Sequence, residues 1–188
     1  MLKISIATSF AMLLSFSIPA AAEFHKEILD AHNQCRLRHH AANVVLDNSL
    51  AKAAQSYAEE LARTNVLVHS DRSTRSNIGE NLYSWSISTS RQSTSKKPSL
   101  AEHGVMGVSA WCEESAKYDF SRPGYVTGTG HFTQVVWKST QKIGCGAAES
   151  KVSLTEKGQV KTTRYVVCRY SPTGNLNTPA AFRENVRP

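Results

Sequence analysis

The sequence lacks several patterns that would assign a function directly. It has no Cys-x-x-Cys pair, no Asn-x-Ser/Thr site and no His-Glu-x-x-His segment. A zinc ribbon, N-glycosylation and the common helical metalloprotease site are therefore not expected. Aromatic residues make up only 8% of the chain, and none are interleaved with a basic stripe, so no nucleic-acid partner is expected.

The sequence also has only one apolar run of notable length, at its N-terminus. Lys3 precedes the run from Ile4 to Ile18, and Ala20-Ala21-Ala22 follows. This pattern is typical of a signal peptide, whereas a membrane anchor needs about 20 apolar residues. We expect cleavage after Ala22, a secreted extracellular protein without a stable transmembrane anchor, and a single domain over residues 23–188.

The chain is basic, with a formal net charge of +7. A basic exported protein can meet anionic lipid head groups, acidic glycans or cell walls. The lysines and arginines are scattered, however, which favours an ordinary solvated surface.

Four cysteines remain in the predicted mature chain, and an exported protein keeps disulfides. Four cysteines allow three pairings. Residues 142–149 and 162–171 are predicted to form a hairpin that turns near Gly158, which would place Cys145 opposite Cys168, close enough to bridge. Cys35 and Cys112 would then remain for each other.

Helical patterns dominate the first part of the chain, and strand patterns the last. Helices are predicted over residues 24–38, over 48–63 with Asp47 as N-cap, and from a Ser99–Glu102 capping box to about Tyr118. Strands are predicted over 132–138, 142–149 and 162–171. Residues 70–78 are predicted to be a loop, as is the low-complexity stretch 88–99. The segment between them, GENLYSWSI, has only enough apolar residues for about one turn. An α+β domain with an antiparallel sheet covered by helices is therefore expected.

Two histidines and two glutamates are candidate site residues. His131 follows a glycine-rich turn, Glu80 follows a polar loop, Glu114 lies on the third helix, and His69 follows the second. If they converge, imidazole nitrogens could hold a divalent metal while the carboxylates orient ligands or water. Their spacing does not establish convergence, and a histidine such as His131 taken alone is more often structural.

Several segments resemble the CAP superfamily, which comprises cysteine-rich secretory proteins, insect venom antigens and plant pathogenesis-related proteins. The matching segments are HNQCR, GENLY, WCEES, YDF, GHFTQVVWKST and YVVCRYSPTGN, in the order of the family. The resemblance extends from about Phe24 to Pro188. The ending SPTGN…FRENVRP most resembles the single-domain, Golgi-associated pathogenesis-related branch.

This resemblance implies a three-layer α-β-α sandwich with a central antiparallel sheet and a cleft. It also implies a cleft tetrad, His69, Glu80, Glu114 and His131, in which the two histidines bind zinc or another divalent cation. A strand that begins after Gly130 would aim His131 into this cleft.

Three functions follow as hypotheses from this resemblance and from the residues. The first is a module that binds a sterol, a fatty acid or an anionic lipid, with Tyr83 and Trp85 near an apolar slot, although these two side chains could equally be core. The second is an extracellular recognition protein with an unidentified protein partner. The alternative is a metal-dependent hydrolase or protease at the tetrad, with Glu80 and Glu114 as catalytic candidates. Catalysis is the less favoured of these hypotheses because a shared site does not imply a shared reaction.

Overall fold

The computed structural model describes residues 20–90, 98–154 and 159–188. The predicted signal peptide lies largely outside these ranges, and so does most of the basic loop at 91–97. The predicted cleavage position after Ala22 falls in the first turn of the first helix. The helices in these ranges are α1 (Ala20–Arg38), α2 (Asn48–Thr64), α3 (Leu100–Glu113), α4 (Gly130–Val135) and α5 (Pro179–Asn185), and the strands are β1 (Val45–Leu46), β2 (Gly79–Ser90), β3 (Lys142–Leu154) and β4 (Gln159–Ser171). No helix in the described part of the chain is long and apolar enough to cross a membrane.

The four strands form one sheet in the order β1-β3-β4-β2. The long strands β2, β4 and β3 are antiparallel, as expected, and the two-residue β1 adds a parallel edge to β3. Cys145 lies directly opposite Cys168, as the hairpin register predicts. Both expected disulfides are present, Cys145–Cys168 within the sheet and Cys35–Cys112 between α1 and α3.

Helices cover both faces of the sheet, which confirms the predicted α-β-α sandwich. The β4 side chains alternate between the faces, since successive residues of a strand point in opposite directions. Tyr165 and Val167 pack with α2, whereas Val166, Cys168 and Tyr170 join the larger core under the other helices. α2 lies so close to β3 that a side chain at Gly144 would overlap the backbone of Ala51.

The predicted helix ends are largely confirmed. The Asp47 side chain accepts hydrogen bonds from Ser49 N–H and Leu50 N–H at the start of α2. Ser99 and Glu102 form the reciprocal capping box of α3. α3 is shorter than predicted, because a 3₁₀ turn over Glu114–Lys117 replaces its last turn.

The strand predicted over residues 132–138 is wrong, because this segment begins with the short helix α4. The buried Arg36 explains why a helix is stable there. Its guanidinium donates to the carbonyls of Val135, Trp137 and Thr140, at and beyond the C-terminal end of α4. Carbonyls at a helix end need such partners when they are buried. Burial lowers the pKa of Arg36 to about 10.

The segment beginning at Gly79 is a strand rather than a single turn with a loop after it. β2 pairs with β4 along its whole length, from Gly79 opposite Tyr170 to Ser90 opposite Gln159. Its second half alternates small polar residues with Trp85 and Ile87, a pattern typical of a strand with one packed face. Residues 88–90 therefore belong to the sheet.

Candidate functional site

A cleft of about 860 Å³ opens at the start of β2. Four segments form its walls: the loop before β2, the end of α3, the turn leading into α4, and the chain after β4. The four predicted site residues, His69, Glu80, Glu114 and His131, all line this cleft. Residues distant in sequence are thus brought to one cavity.

His131 and Glu114 form one of two histidine–carboxylate pairs in the cleft. His131 lies in the first turn of α4, and its Nδ1 is 2.8 Å from Glu114 Oε1. The other oxygen, Oε2, accepts from the backbone N–H groups of His131 and Phe132 at 3.0 and 3.1 Å. A helix start, rather than the expected strand start, therefore directs His131. The two free N–H groups of that helix start fix the carboxylate, which in turn holds the ring.

His69 and Glu80 form the second pair. His69 Nδ1 is 2.9 Å from Glu80 Oε1, which also accepts from Ser70 N–H at 3.0 Å. The Ser70 hydroxyl donates to Glu80 Oε2 at 2.7 Å. Arg75 Nε and Arg169 Nη2 approach the carboxylate to 3.7 and 3.6 Å. Glu80 is therefore fixed by hydrogen bonds on both oxygens and by two cations.

Both carboxylates are held in the ionised state. Burial by itself raises the pKa of Glu80, but the hydrogen bonds from His69 and Ser70 outweigh it and lower the pKa below its ordinary value. The same balance lowers the pKa of Glu114, where burial is outweighed by the hydrogen bonds from His131 and Phe132. An ionised carboxylate can only accept hydrogen bonds. Nδ1 of each histidine therefore carries a proton and donates it in a hydrogen bond to the glutamate.

With the proton on Nδ1, the lone pair that could bind a metal is on Nε2 of each histidine. No hydrogen bond to either Nε2 comes from the described residues. Metal-binding histidines commonly donate their second ring N–H to a carboxylate, which fixes the tautomer and makes the ligand nitrogen more basic. The donor types suit a divalent cation such as zinc, which the two Nε2 atoms would hold with the glutamates behind the ligands.

Two other groups of histidine and cysteine side chains come close together, and neither suits a metal. One is His32 with Cys145 and Cys168, and the other is His39 with Cys35 and Cys112. All four cysteines are in disulfides, so they present no thiolate. Both ring nitrogens of His32 also have hydrogen-bond partners.

Comparison with known proteins places this architecture in a family. The family model of the cysteine-rich secretory protein family, CAP, matches residues 29–170. The chain belongs to the CAP family. It is 38% identical over 169 residues to the human Golgi-associated plant pathogenesis-related protein 1, covering 90% of this chain and 96% of that protein.

Other CAP proteins are similar over most of this chain. Secreted protein RBT4 of Candida albicans is 33% identical and covers 86% of this chain, which spans only 38% of that longer protein. Among solved structures, that of NaASP2 with Zn²⁺ has a TM-score of 0.59 and 24% identity, covering 82% of both chains. At this identity the likeness supports the fold.

Several residues in and around the cleft were not predicted from the sequence. Arg75 lines the cleft and Arg169 lies behind it, and both approach Glu80. They belong to a polar loop and to an apolar strand of the sequence, and no local pattern links them. Asn81, which donates to the carbonyl of His131 at 3.1 Å, could have been noticed as the residue after Glu80 in the GEN segment. Tyr83 and Trp85, considered for an apolar slot, instead pack on the core and on His103.

Proposed function

We propose that this CAP protein is a secreted, non-catalytic recognition module whose cleft holds a divalent cation, with zinc as the first candidate. The cation would be bound by Nε2 of His69 and of His131, while Glu80 and Glu114 orient the rings. One observation carries the proposal. Both histidines in one cleft have Nδ1 held by a buried or half-buried carboxylate and Nε2 left without a partner among the described residues.

The size and lining of the cleft support recognition of a ligand larger than an ion. A volume of about 860 Å³ is in the range of small-molecule sites. Besides the tetrad, the walls include carboxamides and hydroxyls together with the exposed side chains of Tyr125 and Leu176. The cation would supply a positive charge for an electron-rich group of the ligand, and the surrounding polar groups would orient it.

Catalysis is the less favoured alternative because the two candidate carboxylates are already engaged. Glu80 has no exposed side-chain surface, and both of its oxygens accept hydrogen bonds. Glu114 is 18% exposed and accepts three hydrogen bonds from His131 and Phe132. A general base must reach the proton that it removes, and each of these carboxylates already accepts three hydrogen bonds from neighbouring protein groups.

Secretion is proposed from the N-terminal apolar run and from relatives such as RBT4, whose name describes a secreted protein. N-terminal sequencing of protein collected from the medium should begin at Glu23. Material that begins at Met1, or that stays inside the cell, would contradict this part of the proposal.

Calorimetric titration with zinc at pH 7.5 tests the cleft directly. The wild-type protein should bind zinc, and the variant with both His69→Ala and His131→Ala should show no heat above dilution. Glu114→Gln should bind more weakly than the wild type but still measurably. Equal heats for the wild type and the double variant would contradict the metal site.

The same preparation distinguishes the proposed classes of function. Organic extraction of the purified secreted protein, followed by mass spectrometry, would identify a bound sterol, fatty acid or anionic lipid. Capture of a specific extracellular protein with no lipid present would favour a protein partner. Turnover of a peptide or ester substrate that a chelator abolishes would instead establish the hydrolase alternative.

A further inference from the structure

A chain of buried hydrogen bonds leads from the core to the backbone of His131. His32 Nδ1 is 2.8 Å from the carbonyl of Ile28, and its Nε2 is 2.9 Å from the Tyr170 hydroxyl. The Asn81 side-chain Nδ2 is 3.2 Å from the same hydroxyl and 3.1 Å from the carbonyl of His131. His32, Tyr170 and Asn81 are each at most 1% exposed. This chain of hydrogen bonds therefore joins α1, β4, β2 and α4 through side chains that are out of contact with solvent.

Each hydrogen that takes part in this chain of hydrogen bonds has one allowed position. A carbonyl can only accept, so His32 Nδ1 must carry the proton that bonds to Ile28. With His32 neutral, Nε2 is an acceptor and takes the hydrogen of the Tyr170 hydroxyl. The Tyr170 oxygen then accepts one hydrogen of the Asn81 amide, and the carbonyl of His131 accepts the other.

Two properties of the buried groups support this assignment. Burial lowers the pKa of His32 to about 4, so its ring is neutral at neutral pH. Burial also raises the pKa of Tyr170 well above its ordinary value of 10, so its hydroxyl keeps its hydrogen. The amide of Asn81 consequently has one favourable orientation, with Nδ2 toward His131, because the flipped amide would set its oxygen against two acceptors.

β2 holds His131 through a second contact as well. The ring of His131 stacks on Trp111 with centroids 6.0 Å apart. Trp111 Nε1 donates at 3.1 Å to the carbonyl of Leu82, the residue after Asn81. Two consecutive residues of β2 thus fix both the backbone of His131 and the aromatic surface against which its ring lies. His69 is on an irregular segment and is 50% exposed.

We infer that Asn81 is a positioning residue for the cleft, which fixes His131 through its carbonyl and is itself oriented by Tyr170 and His32. The inference concerns the proposed cation site and rests on that proposal for its functional meaning. Pre-organising a ligand lowers the cost of binding, and loss of groups that orient metal ligands commonly weakens binding 10- to 100-fold.

Asn81→Ala is the direct test, with Asn185→Ala as its matched control. Asn185 is also a buried asparagine with hydrogen bonds on both ends of its amide, to Ser139 and Ala181, but its partners lie away from the cleft. Asn81→Ala should weaken zinc binding about tenfold in calorimetry, whereas Asn185→Ala should leave the affinity unchanged. If the wild type binds zinc, equal affinities for the two variants would overturn the inference.

A readout without metal separates this inference from the cation proposal. In ¹⁵N-detected NMR of the metal-free protein, Asn81→Ala should shift or broaden the ring signals of His131 and leave those of His69 in place. Unchanged His131 signals would overturn the positioning role, whether or not the wild type binds zinc. If the wild type binds no zinc but the His131 signals move, the cation proposal fails and the positioning role remains.

A milder variant keeps the test open if Asn81→Ala does not fold. Tyr170→Phe removes only the hydroxyl that orients the amide, and Tyr165→Phe makes the same change on the same strand but on the opposite face of the sheet. Tyr170→Phe should move the His131 signals and weaken zinc binding by a few-fold, and Tyr165→Phe should do neither. Identical behaviour of the two variants would contradict the inference.

Discussion

The two histidine–glutamate pairs of the cleft share one hydrogen-bond pattern but lie in different surroundings. In each pair, histidine Nδ1 contacts a glutamate oxygen, and the backbone N–H of the next residue donates to the same carboxylate. The Glu80 side chain is fully buried beside Arg75 and Arg169, while that of Glu114 is 18% exposed and has no arginine partner among the described residues. The carboxylate contacts a histidine ring in both pairs, and Glu80 in addition balances the charges of two arginines.

Each pair also has a disulfide close to it. Cys112 lies two residues before Glu114, and its bridge to Cys35 joins α3 to α1. Cys168 precedes Arg169 in β4, and its bridge to Cys145 joins β4 to β3. Both pairs thus depend on elements that are tied covalently, but the Cys35–Cys112 bridge closes a much longer stretch of chain.

The largest expected difference between the pairs is in stability. Glu80→Gln leaves the buried Arg169 and the partly buried Arg75 without their counter-charge. It should lower the free energy of unfolding by about 4 kcal/mol, since breaking a buried ion pair costs about 3 to 5 kcal/mol. Glu114→Gln removes hydrogen bonds to a partly exposed carboxylate and should cost about 1 to 2 kcal/mol. Urea unfolding of both variants at pH 7 measures this. Equal losses would show that burial and the arginines do not distinguish the pairs.

His32, which is linked by buried hydrogen bonds to the His131 pair, should make the stability of the protein depend on pH. The folded-state pKa of His32 is about 4, below the ordinary value of 6.5, because burial opposes its charged form. As pH falls below about 6.5, the unfolded chain therefore takes up a proton that the folded protein excludes, and stability falls until about pH 4. The loss from this one group should reach about 3 kcal/mol, at 1.36 kcal/mol for each pH unit.

The measurement is urea unfolding between pH 7 and pH 4.5 for the wild type and for His32→Gln. The variant should show a shallower loss of stability, because the contribution of His32 to the slope is gone. All other ionisable groups are the same in both proteins, so the difference between the two slopes isolates His32. Parallel slopes would show that His32 is not the buried neutral group that anchors the His131 side of the cleft.

The sequence was sufficient for most of the fold because its local signals agree with the tertiary structure. The Asp47 cap, the Ser99 capping box and the register that sets Cys145 opposite Cys168 all follow from short-range rules, and the structure contains them. The three-layer arrangement came from the family resemblance together with the order of helices and strands.

The secondary-structure predictions were wrong where tertiary contacts decide the local structure. Phe132 to Lys138 is a short apolar run, which periodicity cannot assign to strand or helix. The decisive partner is Arg36, about a hundred residues earlier, whose guanidinium satisfies the carbonyls that follow α4. β2 was missed because its first four residues, Gly79–Leu82, are all buried and do not alternate, so that pairing with β4 decides their structure.

The two disulfides should also differ in their contribution to the free energy of unfolding, but by less than the two glutamates do. The cysteines are 77 residues apart in Cys35–Cys112 and 23 residues apart in Cys145–Cys168. In the chain-entropy model, the longer loop constrains the unfolded chain more, so that bridge should contribute about 1 kcal/mol more stability. Replacing each pair by alanine and comparing urea unfolding measures the difference. A larger loss from the Cys145–Cys168 pair would show that packing in the sheet, and not loop length, dominates.

The smallest expected effect on stability is that of His69→Ala. The side chain is 50% exposed, and Glu80 would keep its hydrogen bonds from Ser70 and its two arginine neighbours. The free energy of unfolding should change by no more than about 0.5 kcal/mol, as is usual for an exposed position. Zinc affinity in calorimetry should nevertheless fall by at least about tenfold, because a proposed ligand is lost. Unchanged affinity with unchanged stability would leave His69 without a role in the cleft, and the cation site would then have to rest on His131 alone.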